Sequence, residues 1–152
     1  MAIATGTMTV TITESLDVGT TVMDTATSVA ETITVNDIYK RVITCPTSEI
    51  TLYNTHGSVP QGSTFDNNAV KYIRITNYDG SNYVHLRVSN NEGDEFVYKL
   101  AAGQSFILWG HVGTMNGSHE AALTLGTGES SIADVGVQAN TAACDLEILV
   151  AS

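Results

Sequence analysis

Four histidines are the first candidates for chemistry in this chain of 152 residues, because imidazole can bind metal ions or transfer protons. They are His56, His85, His111 and His119. His111 and His119 could meet in a folded loop, but neither an HxH nor an HxxxH spacing occurs in the sequence. The spacing therefore predicts no metal site and no catalytic histidine.

Hydroxyl and phosphate chemistry also lack their sequence signatures. Serine is plentiful, yet no G-x-S-x-G turn presents one as an activated nucleophile. The run GTGESS that begins at Gly126 has glycines and hydroxyls, but it lacks the lysine and the spacing of a phosphate-binding loop. We therefore predict a protein with no catalytic residues and no cofactor, and not an enzyme.

Two oxygen-rich turns suit calcium, which takes carboxylate and carbonyl ligands. They are NNEGDE, from Asn90 to Glu95, and FDNN, from Phe65 to Asn68. Neither has the ordered ligand spacing of a helix-loop-helix calcium site. Asn, Asp and Gly are also the residues that hairpin turns require, so we favour turn formation over calcium binding.

Aromatic side chains on strands are a second route to binding, since a polar aromatic face can stack on sugars. Tyr72, Tyr83, Tyr98 and Trp109 fall in predicted strands, but Trp109 is the only tryptophan. We favour a core or inter-subunit role for these side chains over a sugar platform. The two cysteines, Cys45 and Cys144, have no CxxC spacing and are predicted to be buried free thiols, with a disulfide left as the alternative.

The elements that carry these residues are strands, and the clearest lie between Ala69 and Trp109. Four short alternating runs are separated by breaks that hold Gly with Asn, Asp, Ser or Ala, which predicts a four-stranded β-meander. Successive side chains of a strand point to opposite faces. The first two runs therefore each have an apolar face and a polar, partly aromatic face, and the second of these carries Tyr72, Arg74, Tyr83, His85 and Arg87.

Further strands are predicted on both sides of this region. They are TMTVTITE, AETITV, IYKRVITC, EITLYNT, SIADVGVQA and CDLEILVAS. The stretch from Ser15 to Ser28 is left open between a loop and a helical turn, the stretch from His56 to Asn68 is predicted as a long loop, and two weaker strands are placed around His111 to Met115 and Ala121 to Leu125. About ten short strands predict an all-β, antiparallel β-sandwich of the jelly-roll type, built as one domain over residues 1–152, with an incomplete barrel as the alternative.

Charge narrows the choice of partners. The chain has 16 acidic and six basic residues, for a formal net charge of −10, which argues against nucleic-acid binding. Three of the bases, Arg74, Arg87 and Lys99, fall in the predicted meander, where we favour internal ion pairs over a ligand site. The first residues lack the basic start of a targeting signal and no apolar run is long enough to cross a membrane, so we expect a soluble protein made in a cytoplasm.

The region from Lys71 to Trp109 resembles segments of small β-sandwich structural proteins of tailed bacteriophage virions. The shared pattern is strand, N-x-D-G, strand, acidic hairpin, strand and then L-x-x-G-x-S-F-I-L, carried here by Asn77, Asp79, Gly80, Leu100, Gly103, Ser105, Phe106, Ile107 and Leu108. The resemblance implies a non-enzymatic virion component. We read it as a capsid decoration (cement) protein bound to the outer face of a phage major capsid protein, with a tail- or fibre-associated adhesin and a carbohydrate-binding β-sandwich module as alternatives.

Scarcity of charge also suggests assembly, because interface cores are depleted in charged residues and enriched in aromatics and Arg. Only 14% of the residues are charged. We predict a homo-oligomer, expected to be a trimer, with the polar aromatic face of the meander at the contact with another subunit or with the capsid. The residues of that face are Tyr72, Arg74, Tyr83, His85 and Arg87.

Overall fold

The computed structural model describes residues 5–14, 16–18, 21–23, 28–56, 65–66, 69–91, 93–109, 114–115 and 130–152. All regular secondary structure in these residues is β-strand. The chain forms two compact units, Met1–Asp37 and Ile38–Ser152.

The first unit is a two-stranded ribbon with a smaller hairpin. Strand β1 (Gly6–Thr13) pairs with β4 (Ser28–Val35) in antiparallel fashion along its whole length. Between them, β2 (Leu16–Val18) pairs with β3 (Thr21–Met23), so this part of the segment that the sequence left open is a hairpin. The strict alternation of Thr with apolar residues in β1 is the period of a strand, which explains why no helix forms here.

The second unit contains the remaining strands. They are β5 (Ile38–Cys45), β6 (Ile50–His56), β7 (Phe65–Asp66), β8 (Tyr72–Asn77), β9 (Val84–Asn90), β10 (Glu95–Leu100), β11 (Ser105–Trp109), β12 (Thr114–Met115), β13 (Ser130–Ala139) and β14 (Cys144–Ala151). Ten of the fourteen strands found in the described residues have five residues or more, in agreement with the predicted number.

Eight strands of the second unit form two antiparallel sheets. The first, here called the β5 sheet, has the order β5-β14-β8-β11, and the second, the β6 sheet, has the order β6-β13-β9-β10. This order is that of a jelly roll, in which the chain crosses repeatedly from one sheet to the other. The prediction of an antiparallel β-sandwich of the jelly-roll type is confirmed.

The predicted β-meander is wrong, although all four of its strands are present. Strand β8 pairs with β14 and β11, whereas β9 pairs with β13 and β10. Of the three connections between these four strands, the β9–β10 connection is a hairpin, whereas the β8–β9 and β10–β11 connections cross between the sheets. Alternation fixes which face of a strand is apolar but not which strand lies beside it, and the six residues from Tyr78 to Tyr83 are enough to change sheets.

The core lies between the two sheets. Both contribute to a single cluster of buried residues, with Ile75 and Ile148 from the β5 sheet and Leu86 and Val135 from the β6 sheet among the fully buried members. Ile75 and Leu86 are side chains that alternation assigned to the apolar faces of the first two predicted strands. The core thus fixes which side chains of each sheet point outwards.

Two short strands modify the sequence prediction. Strand β7 lies inside the predicted long loop and runs parallel to the end of β6, at Thr55 and His56. Strand β12 pairs with the start of β13 and falls where a weak strand was expected. The rest of that loop and the predicted strand from Ala121 to Leu125 lie outside the described residues. Within the described part of the chain no helix is long and apolar enough to cross a membrane.

Candidate functional site

The five predicted interface residues do not share a face. Tyr72 and Arg74 belong to β8 in the β5 sheet, whereas His85 and Arg87 belong to β9 in the β6 sheet, with Tyr83 just before β9. Tyr72 is also buried, at 4% exposure. The assumption of adjacent strands was wrong because β8 and β9 do not pair. These residues can join in one contact only if two different subunits supply them.

Arg87 is the centre of an ion-pair cluster on the outer face of the β6 sheet. Its guanidinium lies 2.7 Å from Glu49, 3.2 Å from Asp134 and 3.5 Å from Glu95. The hydrogen bond to Glu49, with the nearby charges of Asp134 and Glu95, raises the pKa of Arg87 further despite its partial burial. One cation among three carboxylates leaves the cluster with a net negative charge.

Gly136 makes room for this cluster. It lies at a β-bulge in β13, and Arg87 and Gly136 are directly opposed in neighbouring strands. A Cβ atom at Gly136 would collide with the carboxylate of Glu49 and would lie 3.1 Å from Nη2 of Arg87. The ion pair therefore passes directly over the glycine, and a pocket of about 140 Å³ opens beside it, with His85, Val97 and Gln138 in its lining.

Tyr83, His85 and Lys99 form a second group on the same sheet. The Tyr83 and His85 rings meet edge to face with their centroids 5.2 Å apart, and Nζ of Lys99 lies 4.3 Å above the Tyr83 ring. Lys99 thus covers one face of the ring that a sugar would need for stacking. Tyr98 packs instead against Phe106, with the ring centroids 5.3 Å apart.

Glu147 is a buried carboxylate on β14, and two cations from neighbouring strands bind it. Arg74 of β8 lies 2.6 Å away and Lys40 of β5 lies 3.0 Å away. Burial alone would raise the pKa of Glu147, but hydrogen bonds from Lys40, Arg74 and Tyr78 hold it below its usual value. The favoured reading of the bases as internal ion pairs is confirmed for Arg74 and Arg87, while Lys99 stacks on Tyr83.

The ribbon of the first unit has two chemically distinct faces. The pairing of β1 with β4 places Met8 opposite Ile33 and Ile12 opposite Val29 on one face, with Val10 opposite Glu31 between these two pairs. The other face is a double row of small hydroxyl residues interrupted only by an alanine; its members are Thr7, Thr9, Thr11, Thr13, Ser28, Ala30, Thr32 and Thr34. Ile12 is 42% exposed and Val29 is 59% exposed. The sequence showed the alternation of β1 but not that β4 repeats it in register.

The candidate metal ligands give no cluster in the residues that the structure describes. His111 and His119 lie outside them, as do Glu92, Asn67 and Asn68 of the two oxygen-rich turns. In the β9–β10 turn, Asn90 and Asp94 bond to each other: Asn90 Nδ2 donates to Asp94 Oδ2 at 2.9 Å, and Asn90 Oδ1 accepts from the Asp94 backbone N–H at 2.9 Å. Both side chains thus stabilise the turn.

Asn77, Asp79, Gly80 and Gly103, four residues of the pattern that suggested virion proteins, lie at the two crossings between the sheets. Asn77 ends β8, and Asp79 accepts backbone N–H bonds from Ser81 and Asn82 at 2.8 and 2.6 Å. Gly103 has a φ of +72°, a conformation that glycine adopts at little cost, in the turn between β10 and β11. The shared pattern therefore reports how the chain changes sheets.

Comparison of the chain with protein-family models, with curated proteins and with solved structures gave no match.

Proposed function

We propose that this protein is a non-enzymatic structural protein of a tailed-phage virion. In this proposal it is a capsid decoration (cement) protein that is made in the host cytoplasm and binds the outer face of the major capsid protein. The observation that carries the proposal is the β1–β4 ribbon, one face of which is largely apolar and leaves Ile12 and Val29 exposed, with Glu31 as its one charged residue. The jelly-roll fold is compatible, since it occurs in viral capsid proteins, but it also occurs in lectins and therefore decides nothing alone.

The ribbon is the natural attachment element because two strands cannot bury an apolar face by themselves. Isolated two-stranded hairpins are marginally stable in water, and a packed partner is what stabilises them. Ile12 and Val29 are directly opposed and both exposed. Covering one such side chain is worth about 1.5–3 kcal/mol, which corresponds to roughly tenfold or more in affinity.

The chemistry of the ribbon also describes its partner. The first 37 residues contain five acidic residues, Glu14, Asp17, Asp24, Glu31 and Asp37, and no Lys or Arg. A complementary surface on the capsid protein would have an apolar strip bordered by basic side chains. Copies of the protein bound side by side on a capsid would also gain affinity from several simultaneous contacts, in keeping with the proposed trimer.

A pair of neighbouring substitutions tests the attachment. Ile12→Asp places a carboxylate on the apolar face, and Thr11→Asp places the same group on the hydroxyl face of the same strand. Co-sedimentation with shells of the major capsid protein of the same phage should show at least about tenfold weaker binding for Ile12→Asp, and a change within about threefold for Thr11→Asp. Equal binding by the two variants would contradict attachment through the apolar face.

Labelling of whole virions separates the alternatives. An antibody to the protein should decorate the head; label confined to the tail would instead support a tail- or fibre-associated adhesin. A glycan array with and without Ca²⁺ tests the carbohydrate-binding module. Strong, selective glycan binding together with an unlabelled virion would replace the proposed function.

A further inference from the structure

The two cysteines are distant in sequence but directly opposed in the β5 sheet. Cys45 is the last residue of β5, Cys144 is the first residue of β14, and the two are paired in the register. Opposed residues of antiparallel strands have Cα atoms about 4.5 or 5.5 Å apart, and both values lie within the range that a disulfide requires. Opposed residues also point to the same face of a sheet, as a disulfide between them requires.

Both side chains are reduced thiols in the present structure. They are buried at the edge of the core, with 0% and 1% exposure, as the sequence predicted. Each thiol donates a weak hydrogen bond to a nearby carbonyl, Cys45 to Pro46 at 3.5 Å and Cys144 to Ala142 at 3.4 Å. Both of these partners lie within two residues of their cysteine; Ala139 of β13 and Asp79 also interact with Cys45 and Cys144, respectively.

We propose that Cys45 and Cys144 are a reversible oxidation site, at which a small hydroperoxide converts the two thiols into a disulfide. The bond would join the first and last strands of the sandwich and enclose the residues from 45 to 144. The proposal does not depend on the proposed function. The disulfide would act as a covalent staple that forms after folding, once the reduced protein meets an oxidant.

The chemistry balances with the hydroperoxide as the only oxidant. The Cys144 sulfur attacks one peroxide oxygen, the O–O bond breaks, and the products are a sulfenic acid and water or an alcohol. The Cys45 sulfur then attacks the sulfenic sulfur, the S–S bond forms, the S–O bond breaks, and the leaving hydroxide takes the proton of the Cys45 thiol and departs as water. We place Cys144 first because the residues before it, Thr141, Ala142 and Ala143, are exposed.

The same surroundings predict that the reaction is slow near neutral pH. Burial raises the pKa of both thiols, and the carboxylate of Asp79 adds to this effect at Cys144. The thiolate is the reactive form, so the rate should rise with pH in the mildly alkaline range. Both cysteines stand at strand ends, where local opening is least costly.

The test uses the folded wild-type chain treated with dilute hydrogen peroxide, followed by intact-mass measurement and peptide mapping. The expected product is lighter by two hydrogen atoms and gives a disulfide-linked pair of peptides that contain Cys45 and Cys144. No chains should be cross-linked to one another. Closing a loop of this length should raise the melting temperature by roughly 5–10 °C, and a thiol reductant should reverse the increase.

Cys45→Ala and Cys144→Ala are the matched controls. Each keeps one thiol, so peroxide should add oxygen to it without removing two hydrogens, and no stabilisation that a reductant reverses should appear. The proposal fails if the wild-type chain gains oxygen at both cysteines separately. It also fails if its thiols remain unreacted under conditions that oxidise those of the denatured chain. Both outcomes are read from the wild type, so they do not require that the variants fold.

Discussion

At the scale of single residues, Asn77 has the most demanding role in the fold. It is fully buried, and its side-chain amide donates to the carbonyls of Asn82, Leu100 and Ala101 at 2.9, 3.3 and 3.3 Å. Its side-chain oxygen accepts the backbone N–H of Asp79 at 3.0 Å. One side chain thus joins both crossings between the sheets, the first after β8 and the second after β10.

Replacement of Asn77 should therefore be costly. We expect Asn77→Ala to lower the free energy of unfolding by about 2–4 kcal/mol, because it removes four hydrogen bonds of a fully buried side chain at once. Asn91→Ala, at an exposed position of the β9–β10 turn, should change it by no more than about 0.5 kcal/mol. Urea denaturation of both variants measures the difference. Equal effects would mean that the crossings do not depend on this amide.

At the scale of the elements, the two sheets are each tied by charge on their outer faces. In the β5 sheet, Glu147 of β14 binds Lys40 of β5 and Arg74 of β8, so one carboxylate connects three adjacent strands. In the β6 sheet, Arg87 of β9 binds Asp134 of β13 and Glu95 of β10. The first group is the better reporter of stability, because its carboxylate is nearly inaccessible to water.

The Glu147 group predicts a defined pH dependence. Its pKa is lower in the folded protein than the usual glutamate value, so the unfolded chain takes up the proton first. The stabilisation is complete above about pH 5, where the unfolded chain is also ionised, and is lost as the pH falls through the lower folded pKa. The free energy of unfolding of the wild type should therefore be about 1–3 kcal/mol higher than that of Glu147→Gln at pH 7, and this difference should be smaller at pH 3.

Asp145→Asn provides the control for this measurement. Asp145 lies on the same strand but is exposed, and it accepts one hydrogen bond from Thr44 at 2.9 Å. Its replacement should cost about 1 kcal/mol or less at pH 7. Chemical denaturation at the two pH values distinguishes the variants. An undiminished Glu147→Gln difference at pH 3 would show that shape, and not charge, is responsible.

At the scale of the whole molecule, the chain combines a jelly-roll sandwich with a ribbon that forms a unit of its own. The sandwich buries its apolar residues between two sheets, whereas the ribbon leaves side chains such as Val29 largely exposed. The expected trimer belongs to this scale. Its predicted residues now fall into two groups on different sheets, so a contact made by both requires a head-to-tail arrangement of subunits.

Sedimentation of the free protein at micromolar concentration tests this assembly. We expect a trimer, and we expect His85→Glu to shift it towards monomer by placing a charge in the contact. This change suits the fold, because Lys99 is directly opposite His85 in β10. It is preferable to Arg87→Glu, which would add a fourth carboxylate to the Arg87 cluster. Thr11→Asp is the control, and a wild-type monomer would rule out the trimer in solution.

The sequence by itself determined the ten longer strands, the apolar faces of strands such as β8 and β9, and the all-β class, because alternation and turn composition are local properties. IYKRVITC, for example, coincides with β5 from its first residue to its last. The tertiary structure alone decided which strands are neighbours. Glu49, which forms an ion pair with Arg87, is 38 residues away from it in the sequence. The opposed Cys45 and Cys144 come from the first and last strands of the sandwich.

The pairing of the strands could not be predicted from the sequence, for a physical reason. A strand with one apolar face satisfies the core equally well beside any other such strand, so the order of strands depends on all of them together. Tyr72 and His85 were therefore correctly predicted to lie in strands, but the prediction that they share one face was wrong. The two-faced ribbon also became visible only when β4 was found in register with β1.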